Sequence, residues 1–232
     1  MKLARNVDRV LNWHVLSYPR SGNRLVTTLL DFAARRVFSE LPGGGSDDTT
    51  RGTRRAWSAA LAPVTVMAHP LGDSPLPDFD PRTDRLLLVL RDPRDAIASH
   101  LSDQMGSRLL VTERQITSAT AVELDRLHGL LDTVRSYPSH MRLHVNFETL
   151  TGAEGSSFAA ASALLAEVGL DQAALDEMDW LRVNEIAGTG REPPPRRQQR
   201  LRQRIRRAAA VRTSRAEVRQ FMATGIWPGP AR

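Results

Sequence analysis

The sequence predicts an α/β domain with a mainly parallel sheet and helices on both faces. Short apolar runs alternate with helix-length segments in which leucine and alanine recur at helical spacing. Two of the apolar runs also end in polar, arginine-containing turns that lead directly into helices. Strands that alternate with helices form parallel sheets, whose ligands bind at the carboxyl ends of the strands. With 232 residues, the chain is expected to form one domain, with its site-bearing core in residues 13–150.

The first half of the chain contains three strand candidates and one long helix. The strands are apolar runs, predicted over residues 14–18, 63–68 and 85–90. The helix runs from Asn23 to about residue 38, because its apolar residues return at helical spacing. Residues 41–53 contain three consecutive glycines and residues 71–84 are rich in proline, so both are predicted as loops.

The second half is predicted to be mostly helical. Helices are predicted over residues 93–103, 118–136, 156–168 and 171–183, with a fourth strand over residues 142–147. The segment Pro193–Pro195 interrupts the chain, and residues 196–219 form helices on either side of residues 211–213. The loops 41–53, 71–84 and 104–117 are the predicted walls of a pocket for a second substrate, because binding pockets are commonly built from variable loops.

Positive charge is concentrated in an arginine-rich C-terminal segment, residues 191–232. This segment holds twelve arginines and two glutamates, a charge of +10, whereas residues 1–190 carry −4. Such a density suits the phosphates of nucleic acid, but the stretch lacks interleaved aromatic side chains for stacking on bases. We therefore interpret it as an amphipathic helix, and keep a nucleic-acid-binding module as the alternative. The apolar side of this helix is formed by Leu201, Ile205, Ala208 and Ala209.

The chain contains no cysteine, which excludes a disulfide scaffold and thiolate zinc sites. It also has no apolar run long enough for a signal peptide or a membrane span. These features predict a soluble cytoplasmic protein. No cluster of metal-ligating residues is evident, so no metal is expected in the site.

Two segments combine the residue types that bind phosphate. The first is SYPRSGN at residues 17–23, and the second is RDPRDAIAS at residues 91–99. Each follows a predicted strand and opens a predicted helix, so each is expected to offer backbone amides and an arginine at a helix N-terminus. Either segment alone could be an ordinary strand-to-helix turn, but their order and separation favour two phosphate sites.

The pair resembles the sulfotransferase family, which uses 3′-phosphoadenosine-5′-phosphosulfate (PAPS) as sulfuryl donor. The resemblance implies a P-loop NTPase-like fold and an enzyme that transfers the sulfuryl group to a hydroxyl of a small molecule or carbohydrate. It implies that the 3′-phosphate is held by Arg91 and Ser99, which keep the family's spacing of eight positions. It also implies that the 5′-phosphosulfate is held by the first segment, at Arg20, Ser21, Gly22, Asn23 and Arg24.

The resemblance also implies a general base, His69, at the end of the second strand. In the family a histidine at this strand end, followed closely by proline, removes the proton of the acceptor hydroxyl. Here Pro70 follows His69, but Met67 stands where relatives often have lysine. Arg20 would stabilise charge on the leaving oxygen, although arginine is a poor proton donor.

The sequence departs from the family pattern at several positions. Arg24 and Leu25 replace a hydroxyl residue and an aromatic residue, and Phe147 keeps the ring of a nucleotide-contacting tyrosine without its hydroxyl. The C-terminal Arg-Lys-Gly motif has no clean match, and Arg196 and Arg197 are its candidates by position, with residues 206–207 as a second choice. These departures leave open a PAPS-binding protein without turnover. A P-loop kinase or nucleoside triphosphatase is disfavoured, because Gly-x-x-x-x-Gly-Lys-Ser/Thr is missing.

Overall fold

The computed structural model describes residues 11–39, 64–69, 79–80, 82–106, 110–152, 156–170, 175–188 and 194–227. Four strands in these ranges form one sheet in the order β2-β1-β3-β4, and every neighbouring pair is parallel. The strands are β1 (Leu11–Ser17), β2 (Val64–His69), β3 (Asp84–Leu90) and β4 (Arg142–Asn146). The prediction of an α/β fold with a parallel sheet is therefore confirmed.

Eight α-helices accompany the sheet in the described part of the chain. They are α1 (Asn23–Ser39), α2 (Pro93–Met105), α3 (Glu113–Arg135), α4 (Phe147–Leu150), α5 (Ser156–Glu167), α6 (Glu177–Ala187), α7 (Arg196–Arg212) and α8 (Arg215–Thr224). None of these helices is both long enough and apolar enough to cross a bilayer.

The helices cover both faces of the sheet, as predicted. Successive strand residues point to opposite faces, so each central strand feeds two separate cores. Val15 and Val89 pack with α1, α5 and α6 in one core, whereas Leu16 and Leu88 pack with α2, α3, α7 and α8 in the other. The arginine-rich helix α7 belongs to the second core through Leu201 and Ile205. The predicted amphipathic packing of this helix is thus confirmed.

The strand order creates a topological switch point between β1 and β3. From β1 the chain moves outward to β2 on one side, and from β3 it moves outward to β4 on the other. Right-handed crossovers in opposite directions place their helices on opposite faces, in agreement with α1 lying on one face and α2 and α3 on the other. The loops that follow β1 and β3 therefore flank the crevice where open α/β sheets bind ligands.

Most elements begin and end within a few residues of their predicted bounds, but two helices were placed wrongly. Helix α3 begins five residues before the predicted position 118, because Thr112 and Gln115 form a capping box. Residues 113–117 are therefore helical and do not belong to a loop. Helix α6 begins at Glu177 instead of residue 171, because Asp176 caps it.

Predictions for several other segments fall on residues outside the described ranges. These are the loop at 41–53, residue 63 of the second predicted strand, residues 71–78 and 81 of the proline-rich loop, residues 107–109 of the loop at 104–117, residues 171–174 at the predicted start of the fifth helix, and residue 193. The break between the two C-terminal helices is confirmed: α7 ends at Arg212 and α8 begins at Arg215, with Ser214 as its N-cap.

A buried carboxylate fixes the amino-terminal end of the two central strands. Asp84 is only 4% exposed. Its carboxylate accepts hydrogen bonds from the Asn12 side chain (2.7 Å) and from the Asp80 amide (2.9 Å), and it lies 3.1 Å from His14 Nε2. Although burial opposes ionisation, these hydrogen bonds hold the pKa of Asp84 below its usual value.

We expect Asp84→Asn to lower the free energy of unfolding by about 2 kcal/mol or more, because an amide cannot accept all of these hydrogen bonds. The depressed pKa means that the wild-type advantage is present above the pKa of an unfolded aspartate, about 3.9, and is lost as the pH falls through the folded-state value. Urea unfolding at pH 7 and pH 3 measures both effects. Asp132→Asn, at a side chain that is 70% exposed, is the control and should change little at either pH.

Candidate functional site

The segments singled out in the sequence lie side by side at one edge of the sheet. His69 ends β2 and pairs with Leu16, which places it next to loop 1, defined here as residues 18–22. On the other side of loop 1, Arg91 follows β3, and Phe147 follows β4. The parallel register thus gives the order His69, loop 1, Arg91, Phe147 along the carboxyl ends of the strands.

Loop 1 is a tight turn in an unusual backbone conformation. The Ser21 amide donates to the Tyr18 carbonyl (3.0 Å), so this amide is committed to the turn. Arg20 has φ +65°, a left-handed conformation that is uncommon for a residue with a side chain, and Gly22 has φ +94°. Strained residues of this kind concentrate at ligand-binding sites. The amides of the first turn of α1, which begins at Asn23, have no partner within the helix and are available to an anion.

Two features require a glycine at position 22: the positive φ angle and the aromatic ring that lies opposite this residue. A Cβ at this position would lie 2.2 Å from Cδ2 of Phe147, far inside van der Waals contact. The Phe147 side chain therefore packs against the glycine of loop 1. The family resemblance implied that this ring contacts the nucleotide, whereas in the structure it lies against loop 1.

We expect Gly22→Ala to lower both the thermal stability and the affinity for anions at loop 1, because the new methyl group collides with Phe147 in a backbone conformation that alanine avoids. Gly129→Ala in α3 is the matched control, since a Cβ there has no atom within 4 Å. The control should stabilise the chain by up to about 1 kcal/mol, because alanine is the better helix former. Thermal unfolding of both variants measures the difference, and equal melting temperatures would contradict the assignment.

Arg91 joins the two predicted phosphate-binding segments directly. Its guanidinium donates to the carbonyl oxygen of Arg20 (2.6 Å) and lies 4.8 Å from the centre of the Phe147 ring. Burial lowers the pKa of Arg91, while nearby carboxylates such as Asp95 act in the opposite direction. Arg91 therefore supports the strained residue of loop 1 and retains further N–H donors for a ligand.

The N-terminus of α2 is closed by its own cap, contrary to the expectation that it offers free amides. The Asp92 carboxylate accepts from the amide of Arg94 (2.9 Å) and pairs with its guanidinium through two oxygens. Burial opposes the ionisation of Asp92, but these hydrogen bonds lower its pKa, so the cap is anionic. The amide that this helix end would offer to an anion is thus occupied, and the second segment can act only through its side chains.

Helix α7 supplies an arginine to the second segment that the sequence analysis missed. The Arg202 guanidinium lies 3.4 Å from Oγ of Ser99 and donates to Oγ of Ser102 (3.0 Å). The positive charge of Arg202 also contributes to the lowered pKa of Arg91, so the two cations face the same region. Arg91, Ser99 and Arg202 together form what we call the arginine–serine cluster.

Three of the predicted ligand-binding arginines are not brought to this cluster. Helix α7 runs antiparallel to α2, with Arg202 beside Ser99 and Arg206 paired to Asp95 (2.8 Å). Arg196 and Arg197 consequently lie near Gly106 at the far end of α2. The side chain of Arg24 donates to the Ile186 carbonyl at the end of α6 (3.0 Å), away from loop 1. The side chains of Arg24, Arg196 and Arg197 therefore lie away from the arginine–serine cluster.

The side chain of Arg20 reaches from loop 1 to α2, where it forms an ion pair with Asp103. Both side chains are about half exposed, at 50% and 52%, so the pair is screened by water and an anionic ligand can compete for the guanidinium. Asn23 follows Arg20 by three residues, and no described residue hydrogen-bonds the buried Oδ1 of its side chain. Arg20 and Asn23 thus keep polar groups that a ligand could use.

A buried network anchors the start of loop 1 to α2 and α3. The Tyr18 hydroxyl donates to Glu123 (2.7 Å), and burial together with this carboxylate raises the pKa of Tyr18. His100 lies edge-on to the Tyr18 ring, with its Nε2 3.9 Å from the Glu123 carboxylate. Burial lowers the pKa of His100, which favours the neutral imidazole. The side chain of His69, by contrast, is outside the described residues, so its predicted role rests on its position at the strand end.

Comparison of the chain with models of known protein families gives no match, and comparison with curated proteins gives no significant match either. The geometry of the site therefore carries the functional argument.

Proposed function

We propose that the chain is a PAPS-dependent sulfotransferase with a P-loop NTPase-like architecture. The observation that carries this proposal is the contact between the two phosphate-type segments: they flank the switch point of a parallel sheet, and Arg91 of one binds the backbone of Arg20 of the other. Two anion-binding positions in contact suit a ligand that carries two phosphate-like groups, as PAPS does.

The residues at loop 1 fit the 5′-phosphosulfate. The first-turn amides of α1 and the dipole of this 17-residue helix favour an anion at this end. Asn23 contributes a buried amide oxygen that no described residue hydrogen-bonds, and an amide group can turn its NH₂ toward an oxyanion. Arg20 can exchange its exposed ion pair with Asp103 for the ligand.

The arginine–serine cluster fits the 3′-phosphate. Arg202 lies against the hydroxyl of Ser99, and it is close enough to Arg91 to lower the pKa of that arginine, so two cations are available to this phosphate. In this proposal Arg202 takes the part that the missing Arg-Lys-Gly motif has in relatives. Because α7 holds it against α2 through Ser102, the arginine is already oriented before the ligand binds.

The proposed reaction is an in-line displacement at sulfur. His69 accepts the proton of the acceptor hydroxyl, the hydroxyl oxygen forms a bond to sulfur, and the bond from sulfur to the bridging phosphate oxygen breaks. Arg20 stabilises the negative charge on that leaving oxygen. The products are the sulfated acceptor and adenosine 3′,5′-bisphosphate.

The direct test is the transfer of ³⁵S from labelled donor to a panel of phenols, sugars and amino sugars. The proposal predicts a labelled acceptor whose formation requires Arg20 and stops in Arg20→Ala. Binding of the bisphosphate without any transfer would favour the non-catalytic nucleotide-binding alternative. Binding of duplex DNA at submicromolar concentration in physiological salt, with no bisphosphate binding, would favour the nucleic-acid module.

A further inference from the structure

A second basic groove lies beside the proposed donor site, between the end of β4 and helix α8. It is an open groove of about 660 Å³, and its walls include Arg94, Asn146, Arg215, Val218, Arg219 and Met222. Asn146 directly precedes Phe147, and the groove also borders Asp92, which directly follows Arg91. Residues of the groove and residues of the proposed donor site are therefore neighbours in sequence at the same edge of the sheet.

The groove carries an excess of positive charge. Arg94 is neutralised by Asp92, with which it forms a two-point ion pair. Arg215 and Arg219 are exposed, and no acidic side chain of the described ranges pairs with either of them. Since they are four residues apart on α8, their like charges repel each other. The nearest acid in sequence, Glu217, is committed to the helix cap through its hydrogen bond with the Ser214 amide (2.6 Å).

A polar side chain without a partner stands at the opposite wall. Oδ1 of Asn146 is buried and has no hydrogen-bond partner among the described residues. A buried amide without a partner costs free energy, and rotation of the amide can present its NH₂ group to an oxyanion. The two arginines and this amide together offer the donors that carboxylate, sulfate and phosphate groups accept.

The remaining wall is apolar. Val218 and Met222 lie one turn apart on α8 and give the groove a hydrophobic side next to its cations. A free inorganic ion would make no favourable contact with this apolar wall. The combination suits an oxyanion attached to a larger body with an apolar face, such as a sugar ring or a hydrocarbon frame.

We propose that this groove binds an oxyanion group of the acceptor, so that the acceptor is a hydroxyl compound that already carries a carboxylate, sulfate or phosphate. This substrate class rests on the proposed sulfotransferase function, whereas the anion site itself does not. Binding of the charged group to Arg215, Arg219 and Asn146 anchors the acceptor at the end of β4, two strands from loop 1. The acceptor must therefore be long enough to extend past Arg91 and bring its hydroxyl to His69.

The test is a ¹H–¹⁵N NMR titration with inorganic sulfate at constant ionic strength, with adenosine 3′,5′-bisphosphate present at saturation to fill the donor site. Sulfate should cause saturable shifts of the Asn146 side-chain amide and of the backbone amides of residues 214–219. The double variant Arg215→Gln, Arg219→Gln should weaken this binding at least tenfold. The control Arg200→Gln, Arg207→Gln removes the same charge from exposed positions of α7 and should stay within twofold of the wild type.

Each outcome decides the proposal. Equal sulfate affinity in the wild type and in the Arg215, Arg219 double variant overturns the proposal. An equal loss of sulfate affinity in the control variant also overturns it, because only net charge would then matter. Asn146→Asp places a negative charge in the groove and must also abolish the shifts at residues 214–219. If the bisphosphate fails to bind, the proposed function is wrong, but the groove is still judged by the sulfate shifts at its own residues.

Discussion

Replacing His69 with alanine should lower sulfuryl transfer by roughly 100-fold or more and leave nucleotide affinity within about threefold. His69 ends the strand next to loop 1, at the edge where the proposed donor and acceptor meet. In the proposed mechanism His69 acts on the acceptor hydroxyl and has no part in holding the nucleotide. Single-turnover rates with labelled donor, combined with calorimetry of bisphosphate binding, separate the two effects.

The control for this variant is His140→Ala, which removes an exposed histidine before β4 and should leave transfer unchanged. His100→Ala tests the described histidine that lies nearest to loop 1, against the Tyr18 ring. Full activity in His69→Ala together with a large loss in His100→Ala would show that the base was assigned to the wrong histidine.

Replacing Arg91 with alanine should weaken the binding of adenosine 3′,5′-bisphosphate by about 30-fold or more, which corresponds to about 2 kcal/mol. Two effects combine in this variant. The 3′-phosphate loses a partly buried cation, and the carbonyl of Arg20 loses the donor that supports its left-handed conformation. Affinity for AMP should fall less than affinity for the bisphosphate, so the preference between the two ligands should nearly disappear.

Arg91→Lys and Arg82→Ala complete this experiment. Lysine keeps the charge but cannot form the fork of hydrogen bonds, so an intermediate affinity is expected. Arg82 lies before β3, at the opposite end of the strand, and its loss should have no effect on either ligand. An unchanged preference for the bisphosphate in Arg91→Ala would mean that this segment only begins a helix.

The sequence was sufficient to predict the sheet, because its strands are continuous apolar runs bounded by polar turns. It also predicted that the SYPRSGN and RDPRDAIAS segments lie at the carboxyl ends of strands, whereas their position on either side of a switch point follows only from the strand order. The boundaries of α3 and α6 were missed because a single capping residue decides them: Thr112 in one case and Asp176 in the other. The spacing of apolar residues alone suggested a different first residue. In both helices the capping residue determines where the helix begins.

The side-chain assignments depended on contacts between distant segments, which local patterns do not specify. Arg202 is 103 residues from Ser99, and it reaches that residue because α7 packs antiparallel on α2. The sequence did contain one indication of this contact. Arg202 directly follows Leu201, at the border of the apolar side of α7, and an arginine in such a position can reach a partner on the neighbouring helix. Asp92 lies within the segment that was assigned to phosphate, and its side chain caps α2 and closes that helix end.

The most direct test of the central claim is calorimetric comparison of adenosine 3′,5′-bisphosphate with AMP. The two ligands differ in the 3′-phosphate, which only the arginine–serine cluster of Arg91, Ser99 and Arg202 is proposed to bind. The account predicts that the bisphosphate binds at least tenfold more tightly, because charge-assisted hydrogen bonds form to that group alone. Equal affinities for the two nucleotides, or no binding of the bisphosphate, would contradict it.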